Sequence, residues 1–487
     1  MTPASTSRSR IVANFLERRP LLIGGALALF FALLSLAVND LNRALDWDEA
    51  IYMSEALNFI PGVGFSAHRA RGIVWLAAPL NLLGADWAVG ARLWMLTINA
   101  VAVGIAGWIW ARLVGLSVMV GGLIFGTMWL TIIYTADVSP NLPSALLLVG
   151  GTGATLLALR TQGKTSSWVL VSIVLFAAAS AIRPTDAVWW AAGLASGLLL
   201  ARLPFFRALW PIGIGITVGL APWLFEAQAR FGGPYERLRA AAQTVDGGTN
   251  SQFTEYARLL DGPLTGPDRL ETIPWQGLVY LLILITLSGV ALVVADSTRT
   301  RKSVLVLLAS GAATAAFYLF VTGALAPRFL FPFLVAIAMS AGVAISSLWR
   351  KAGSARVAAA AVGTFLLAGT MWQIAVAAEV NRVQTIDRGF AEVVASSLAR
   401  STSANQCFVA SQYGYPQLQF YSGCEGSRLT PSMSELPHEI KQGLDSGADI
   451  YILFWNQPSP SSPVRDWPFT ELRYGSSDIL VFVPPST

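Results

Sequence analysis

Residues 21–57 read LLIGGALALFFALLSLAVNDLNRALDWDEAIYMSEAL. Residues 21–38 carry no charge and come close to the ~20 apolar residues that span a bilayer. Directly after them come Asp46, Asp48, Glu49 and Glu55. The stretch reads as a membrane helix that delivers a group of acids to one face of the membrane. Arg8, Arg10, Arg18 and Arg19 precede it and no small-residue cleavage site follows, so we read a retained helix and not a cleaved signal.

Working outward, the same apolar pattern recurs. The chain has 487 residues, 54% hydrophobic and only 13% charged, against roughly 25% charged in soluble proteins. About eleven spans are expected, near 21–38, 88–111, 114–134, 142–159, 167–181, 187–201, 209–225, 276–295, 304–322, 329–347 and 357–378. The fold class is a polytopic α-helical membrane protein with a small C-terminal α/β domain. Segment 1–20 is expected in the cytoplasm, 21–379 in the membrane domain and 380–487 in the extracytoplasmic domain. Two long outer loops, 39–87 and 226–275, interrupt the membrane part. Residues 46–57 are amphipathic and suit a helix lying on the membrane surface. Residues 72–83 suit an interfacial or re-entrant segment, and the Gly- and Pro-rich 226–275 reads as a mobile loop.

Beyond residue 380 the pattern changes. A helix is expected over 388–400, strands over 407–411 and 449–454, helices over 416–421 and 434–443, and a terminal strand pair at 472–474 and 478–483.

Charge sets the orientation. With the N-terminus inside, the inner segments hold Arg112, Arg160, Lys164, Arg202, Arg207, Arg299, Arg301, Lys302, Arg350, Lys351 and Arg356, and the only inner acids are Glu17 and Asp296. That is the positive-inside pattern. It implies a multi-pass protein of a bacterial-type plasma membrane whose C-terminal domain lies outside. The net charge of +5 is spread over short clusters between apolar runs, which argues against a nucleic-acid partner. The two cysteines, Cys407 and Cys424, lack CxxC spacing, and outside the cytoplasm a disulfide between them is expected.

Much chemistry is excluded. His68 and His438 are the only histidines, too few for a His-based zinc site or a Ser-His-Asp triad. Gly163-Lys164-Thr165 lacks the upstream glycine of a P-loop, because residue 158 is alanine. No cofactor is required, although a divalent metal bridging Asp48 and Asp137 stays open.

The remaining candidates are charged residues expected at the outer face. Asp48 and Glu55 share one helix face at a spacing of seven; a helix cap at Asp46 or Asp48 is the competing structural role. His68, Arg69 and Arg71 precede the interfacial segment, and Arg92, Arg183 and Arg328 stand near span ends. Cations there are costly at depth and usually functional or paired, with snorkelling as the competing structural role. Asp137 closes the third span, where an ordinary loop aspartate is equally in keeping.

Trp47-Asp48-Glu49-Ala50-Ile51-Tyr52, His68-Arg69-Ala70-Arg71-Gly72, Gly90-Ala91-Arg92-Leu93, Ile182-Arg183-Pro184-Thr185 and Pro327-Arg328-Phe329-Leu330-Phe331-Pro332 form an ordered set. The set resembles the GT-C superfamily of membrane glycosyltransferases, in particular the protein O-mannosyltransferase and lipid A aminoarabinose transferase group. The resemblance covers roughly residues 20–350. The chain departs from it at 68–72, where the family often has Lys-Pro-Pro. It implies a sugar donor on polyprenyl phosphate, a glycan, lipid or protein acceptor, and inversion at the anomeric carbon. It further implies Asp48 as general base with Glu49 and Asp137 in support, Arg69, Arg71, Arg92, Arg183 and Arg328 on the phosphate, and Tyr52 and His68 at the substrate. The rival from another class is a transporter or flippase for a lipid-linked anion, which calls for paired broken helices in two related halves; no such halves are visible in the sequence. A ligase or polymerase that uses a lipid pyrophosphate would share the same outer-face chemistry. A non-catalytic membrane anchor for the C-terminal domain would leave the acid-rich first loop without a role.

Overall fold

The computed structural model describes residues 19–57, 65–82, 87–161, 167–244, 253–262, 273–323, 325–351, 353–401, 406–429, 435–455, 457–474 and 477–485. Arg8, Arg10, Glu17, Arg18 and Lys164 of the topology pattern lie outside them, as do 58–64, 83–86, 245–252 and 263–272 of the two long loops. The chain divides into two compact units. The first comprises Met1–Asn39, Ser66–Ile73 and Leu93–Asn381, and the second Asp40–Phe65, Val74–Arg92 and Arg382–Thr487.

The first unit is helical. Among the described residues, eight helices are long and apolar enough to cross a membrane: Pro20–Val38, Ala88–Val114, Asn141–Arg160, Phe205–Phe231, Trp275–Val294, Thr298–Phe320, Pro327–Arg350 and Ser354–Leu398. The pair Ser117–Gly126 and Trp129–Ala136 is apolar enough when taken together but bends by 77°, the form of a broken span or a re-entrant segment. Ser167–Ile182 and Pro184–Leu200 have 16 and 17 residues, fewer than the ~20 of a full span. Helices therefore stand at all eleven expected places, and three of them differ from a straight full-length span. Residues 226–275, read from composition as a mobile loop, contain the helices Pro234–Thr244 and Phe253–Arg258.

The bend between Ser117–Gly126 and Trp129–Ala136 has a local cause. The Thr127 hydroxyl donates to the Leu123 and Ile124 carbonyls at 2.9 and 3.1 Å, a back-bond that bends helices. Met128 then turns to an extended conformation, with φ −62° and ψ 130°. Backbone groups freed inside a bilayer need new partners. The Trp129 N–H, at the start of the second segment, donates to the Gln373 side chain at 2.8 Å. Elsewhere small residues set the helix spacing, as in other membrane bundles. A Cβ placed on Gly342 would stand 2.3 Å from the Gly121 nitrogen.

The second unit is built on a five-stranded sheet of order β2-β1-β3-β5-β4. Its strands are β1 Cys407–Ser411, β2 Glu425–Arg428, β3 Asp449–Phe454, β4 Phe469–Tyr474 and β5 Ser477–Phe482. β1 pairs in parallel with β2 and β3, and β5 pairs antiparallel with β3 and β4. Alternation sends successive side chains to opposite faces. Val409, Leu453, Ile479 and Val481 pack on one face with Leu418 and with Ala391, Val394 and Leu398 of the Ser354–Ser401 helix. Ala410, Ile450, Ile452 and Phe482 pack on the other with Ile440 of the His438–Asp445 helix. Short, polar β2 carries no apolar alternation, which is why the sequence did not announce it. Cys407 and Cys424 are joined in a disulfide with a Cα–Cα distance of 4.8 Å.

Candidate active site

In the second unit, the acidic stretch forms the helix Trp47–Leu57. Asp46 precedes it as cap, its carboxylate accepting from the Trp47 N–H at 2.7 Å. Glu49 reaches back to accept from the Asp46 N–H at 2.8 Å, the reciprocal half of a capping box. The rest of Glu49 is taken up by arginines. Arg92 pairs with both of its oxygens, through Nη1 to Oε1 and through Nη2 to Oε2 at 2.9 Å. Arg388 Nη1 donates to Oε2 at 3.1 Å, and Arg388 Nη2 lies 3.4 Å from Asp46. Glu49, Arg92 and Arg388 are only 2%, 0% and 3% exposed. Burial opposes the charge on Glu49, yet Arg92 and Arg388, with Arg43 behind them, outweigh it and hold its pKa down at about 2.

The neighbours of this pair are equally fixed. Arg92 Nη2 also donates to the Arg43 and Ala44 carbonyls at 3.4 and 3.3 Å. The Leu45 N–H donates to the Tyr421 hydroxyl at 2.8 Å, and Trp47 meets Tyr415 edge-on with ring centroids 5.0 Å apart. Tyr52 is buried edge-on against Phe65. Asp48, one residue from Glu49, is half-buried on the first turn. Of the acids at the start of this helix, Asp46 serves the cap and Glu49 serves the ion pairs.

In the first unit, the basic segment is gripped by Arg237. Its guanidinium donates to the carbonyls of Ala67 and Arg69 at 3.0 and 2.8 Å and lies over the Trp223 ring at 4.6 Å. Arg71 Nε donates to Glu226 at 2.9 Å. Glu226 also takes Arg230 at 3.0 Å and faces Arg237 at 2.9 Å, the latter an ion-pair contact without hydrogen-bond alignment. Arg69 is buried and bonds the Ser66 hydroxyl, while His68 is exposed with Nδ1 at 3.1 Å from the same hydroxyl. Gly72 makes the next approach. A Cβ there would stand 2.4 Å from the Ala181 carbonyl oxygen, so the lack of a side chain is what lets the basic segment lie against the turn before Arg183.

Arg183 Nε donates to Asp186 at 2.8 Å and Nη2 donates to the Tyr318 hydroxyl at 2.6 Å; Tyr318 in turn donates to Asp186. Arg183 and Arg328 both lie over the Phe329 ring, at 5.1 and 5.4 Å. Arg328 donates to the Tyr134 hydroxyl at 3.1 Å. Tyr256 is within electrostatic reach of both arginines, and burial pushes its phenol pKa well above the ordinary value. Arg183 and Arg328 thus meet over Phe329, and Gly72, next to Arg71, lies against the turn before Arg183. Asp137 is buried and ends the Trp129–Ala136 helix, three residues after Tyr134. Beside this group, Met128, Trp129, Tyr256, Tyr280, Pro327 and Leu330 border an open apolar cleft. Among the described residues no three His, Cys, Asp or Glu side chains are grouped to hold a metal ion.

No protein-family model and no curated protein matches the chain by sequence. Solved structures do match by shape. ArnT from Cupriavidus metallidurans bound to undecaprenyl phosphate superposes with a TM-score of 0.63 at 13% identity, covering 94% of this chain and 97% of that one. Its apo state gives 0.61 at 13% identity, covering 94% and 98%. The fold is GT-C. The Archaeoglobus fulgidus oligosaccharyltransferase tethered to an acceptor peptide matches this chain at TM-score 0.52 and 11% identity, covering 88% and 68%.

Several residues of this GT-C architecture escaped the sequence reading: Arg388, Asp186, Glu226, Arg237, Tyr318 and Gln373. Asp186 offered a signal, standing three residues after Arg183 on one helix face. Arg388 and Arg237 offered none, because their partners are remote in sequence.

Proposed function

We propose that the chain is a glycosyltransferase of the extracytoplasmic face of a bacterial-type inner membrane, moving a sugar from a polyprenyl-phosphate donor to an acceptor hydroxyl with inversion. The carrying observation is the meeting of Arg183 and Arg328 over Phe329 beside an apolar cleft in a GT-C fold, with the backbone next to Arg71 against the turn before Arg183. A lipid phosphate needs this combination, fixed cations for the head and apolar surface for the chain. The acceptor oxygen attacks the anomeric carbon and the bond from that carbon to the phosphate oxygen breaks. The electron pair leaves with the lipid phosphate, whose growing charge the arginines stabilise. The acceptor proton passes to a carboxylate, and Asp48 is the proposed base, from its place in the Trp47-Asp48-Glu49 motif and its half-buried position on the first turn of the Trp47–Leu57 helix. Glu49 and Arg92 then act as positioning residues for the Trp47–Leu57 helix.

The test uses the purified full chain, a panel of polyprenyl-phosphate sugars and a membrane extract as acceptor, reading release of free polyprenyl phosphate. Asp48→Asn is expected to lower the rate ~10²–10⁴-fold, the usual weight of a general base, with thermal unfolding unchanged. A full rate in that variant moves the base elsewhere. Binding and transbilayer movement of the donor without any transfer would overturn the proposal in favour of a transporter.

A further inference from the structure

The first unit has a second charged cavity, far from the group around Arg183. The Asn141–Arg160 helix starts just after Asp137 and has 20 residues, so Arg160 lies about 30 Å along its axis from that end. The Thr298–Phe320 helix runs the opposite way, with Tyr318 bonded to Asp186 near its C-terminal end and Arg299 and Lys302 near its start. At this far pole Arg160, Arg299 and Lys302 line one open cavity, over Leu156, Leu159 and Leu203.

The charges there are not balanced. Arg160 donates to the Ser303 hydroxyl at 3.3 Å and is pressed by the like charge of Arg299. Among the described residues none of the three cations has a carboxylate within ion-pair distance; Asp296, the nearest acid in sequence, is paired with Arg350. The positive-inside tendency accounts for cations at this pole. It does not account for three of them around a single concavity, where they repel one another. An anion seated in the cavity would remove that repulsion, and the leucines supply an apolar wall beneath it.

We infer that this cavity binds the phosphate headgroup of an anionic phospholipid from the surrounding leaflet, with acyl chain against the leucine wall. Basic pockets between membrane helices take such headgroups. The apolar wall favours a lipid over a soluble phosphate. With the orientation proposed above, the leaflet is the inner one; that clause rests on the proposed topology, and the binding does not.

Binding is read on the purified full chain in neutral detergent, as the thermal unfolding midpoint against added phosphatidylglycerol, phosphatidylcholine or inorganic phosphate. Phosphatidylglycerol is expected to raise the midpoint, and Arg299→Gln/Lys302→Gln to raise the half-maximal lipid concentration by ~10-fold or more. Arg207→Gln/Arg301→Gln removes as much positive charge outside the cavity and is expected to leave that concentration within about 2-fold. Equal protection by phosphatidylcholine or by inorganic phosphate, or an equal loss in both double variants, overturns the site. Sidedness is read separately with Thr298→Cys and a membrane-impermeant maleimide, since the native cysteines are bonded to each other. Labelling from outside intact cells would overturn the topology and leave the lipid result standing.

Discussion

Glu49 with Arg92 and Arg388 in one unit, and Arg183 with Asp186 and Arg328 in the other, use the same residue types for different ends. The first group is closed: its members are 2%, 0% and 3% exposed and bond one another and the backbone. The second is open: Arg183 is 17% exposed, Arg71 nearby is 23% exposed, and phenol hydroxyls share the bonding with carboxylates. A buried ion pair is fixed by the cost of leaving either partner alone. A partly exposed guanidinium on an aromatic ring can be reached by a phosphate. Both groups contain an arginine near a span end that looks alike in sequence, Arg92 in one and Arg183 or Arg328 in the other, and burial is what distinguishes them.

The largest expected effect is on the closed group. Glu49→Gln strands two buried guanidinium groups and is expected to cost ~3–5 kcal/mol, read as a fall in the unfolding midpoint whether or not donor is present. If the variant is as stable as the wild type, the closed group is not a scaffold. Acid probes the same carboxylate without mutation. Its folded pKa of about 2 lies below the ordinary 4.5. The stability it contributes is therefore whole above 4.5 and drains as pH falls towards 2. Circular dichroism through that window is expected to show the loss, and to show less of it in Glu49→Gln. A smaller effect belongs to the disulfide: closing 17 residues, it is expected to contribute about 3 kcal/mol, read by comparing Cys407→Ala/Cys424→Ala with the wild type. The smallest effect on stability belongs to the open group. Arg328→Gln is expected to shift stability by less than ~1 kcal/mol while raising the donor concentration for half-maximal rate by ~10-fold or more. Unfolding as severe as that of Glu49→Gln would erase the contrast.

Length and apolarity were enough to find the helices, because a bilayer imposes the same requirement on every span. The arginines at span ends were legible for a related reason, since charge near hydrocarbon demands a partner or a purpose. Partnership was not legible. Glu49 and Arg92 are 43 residues apart, and Glu49 and Arg388 are 339 apart, so no local pattern joins them. The 226–275 segment misled for a different reason. Its glycines and prolines read as mobility, yet Gly232 takes a left-handed φ of 83° to end one helix, and Pro234 opens the next, which carries Arg237 to the backbone of the basic segment.

Gly72 has a consequence for inheritance. Every base change that alters a glycine codon without ending the chain adds at least one carbon, and here that carbon meets the Ala181 carbonyl at 2.4 Å. Position 72 has no mild neighbour in codon space. In a saturation library selected for function it should stand as a sharp intolerant point, while Gly25 and Gly90, whose added carbons meet nothing within 4 Å, drift freely on either side of it.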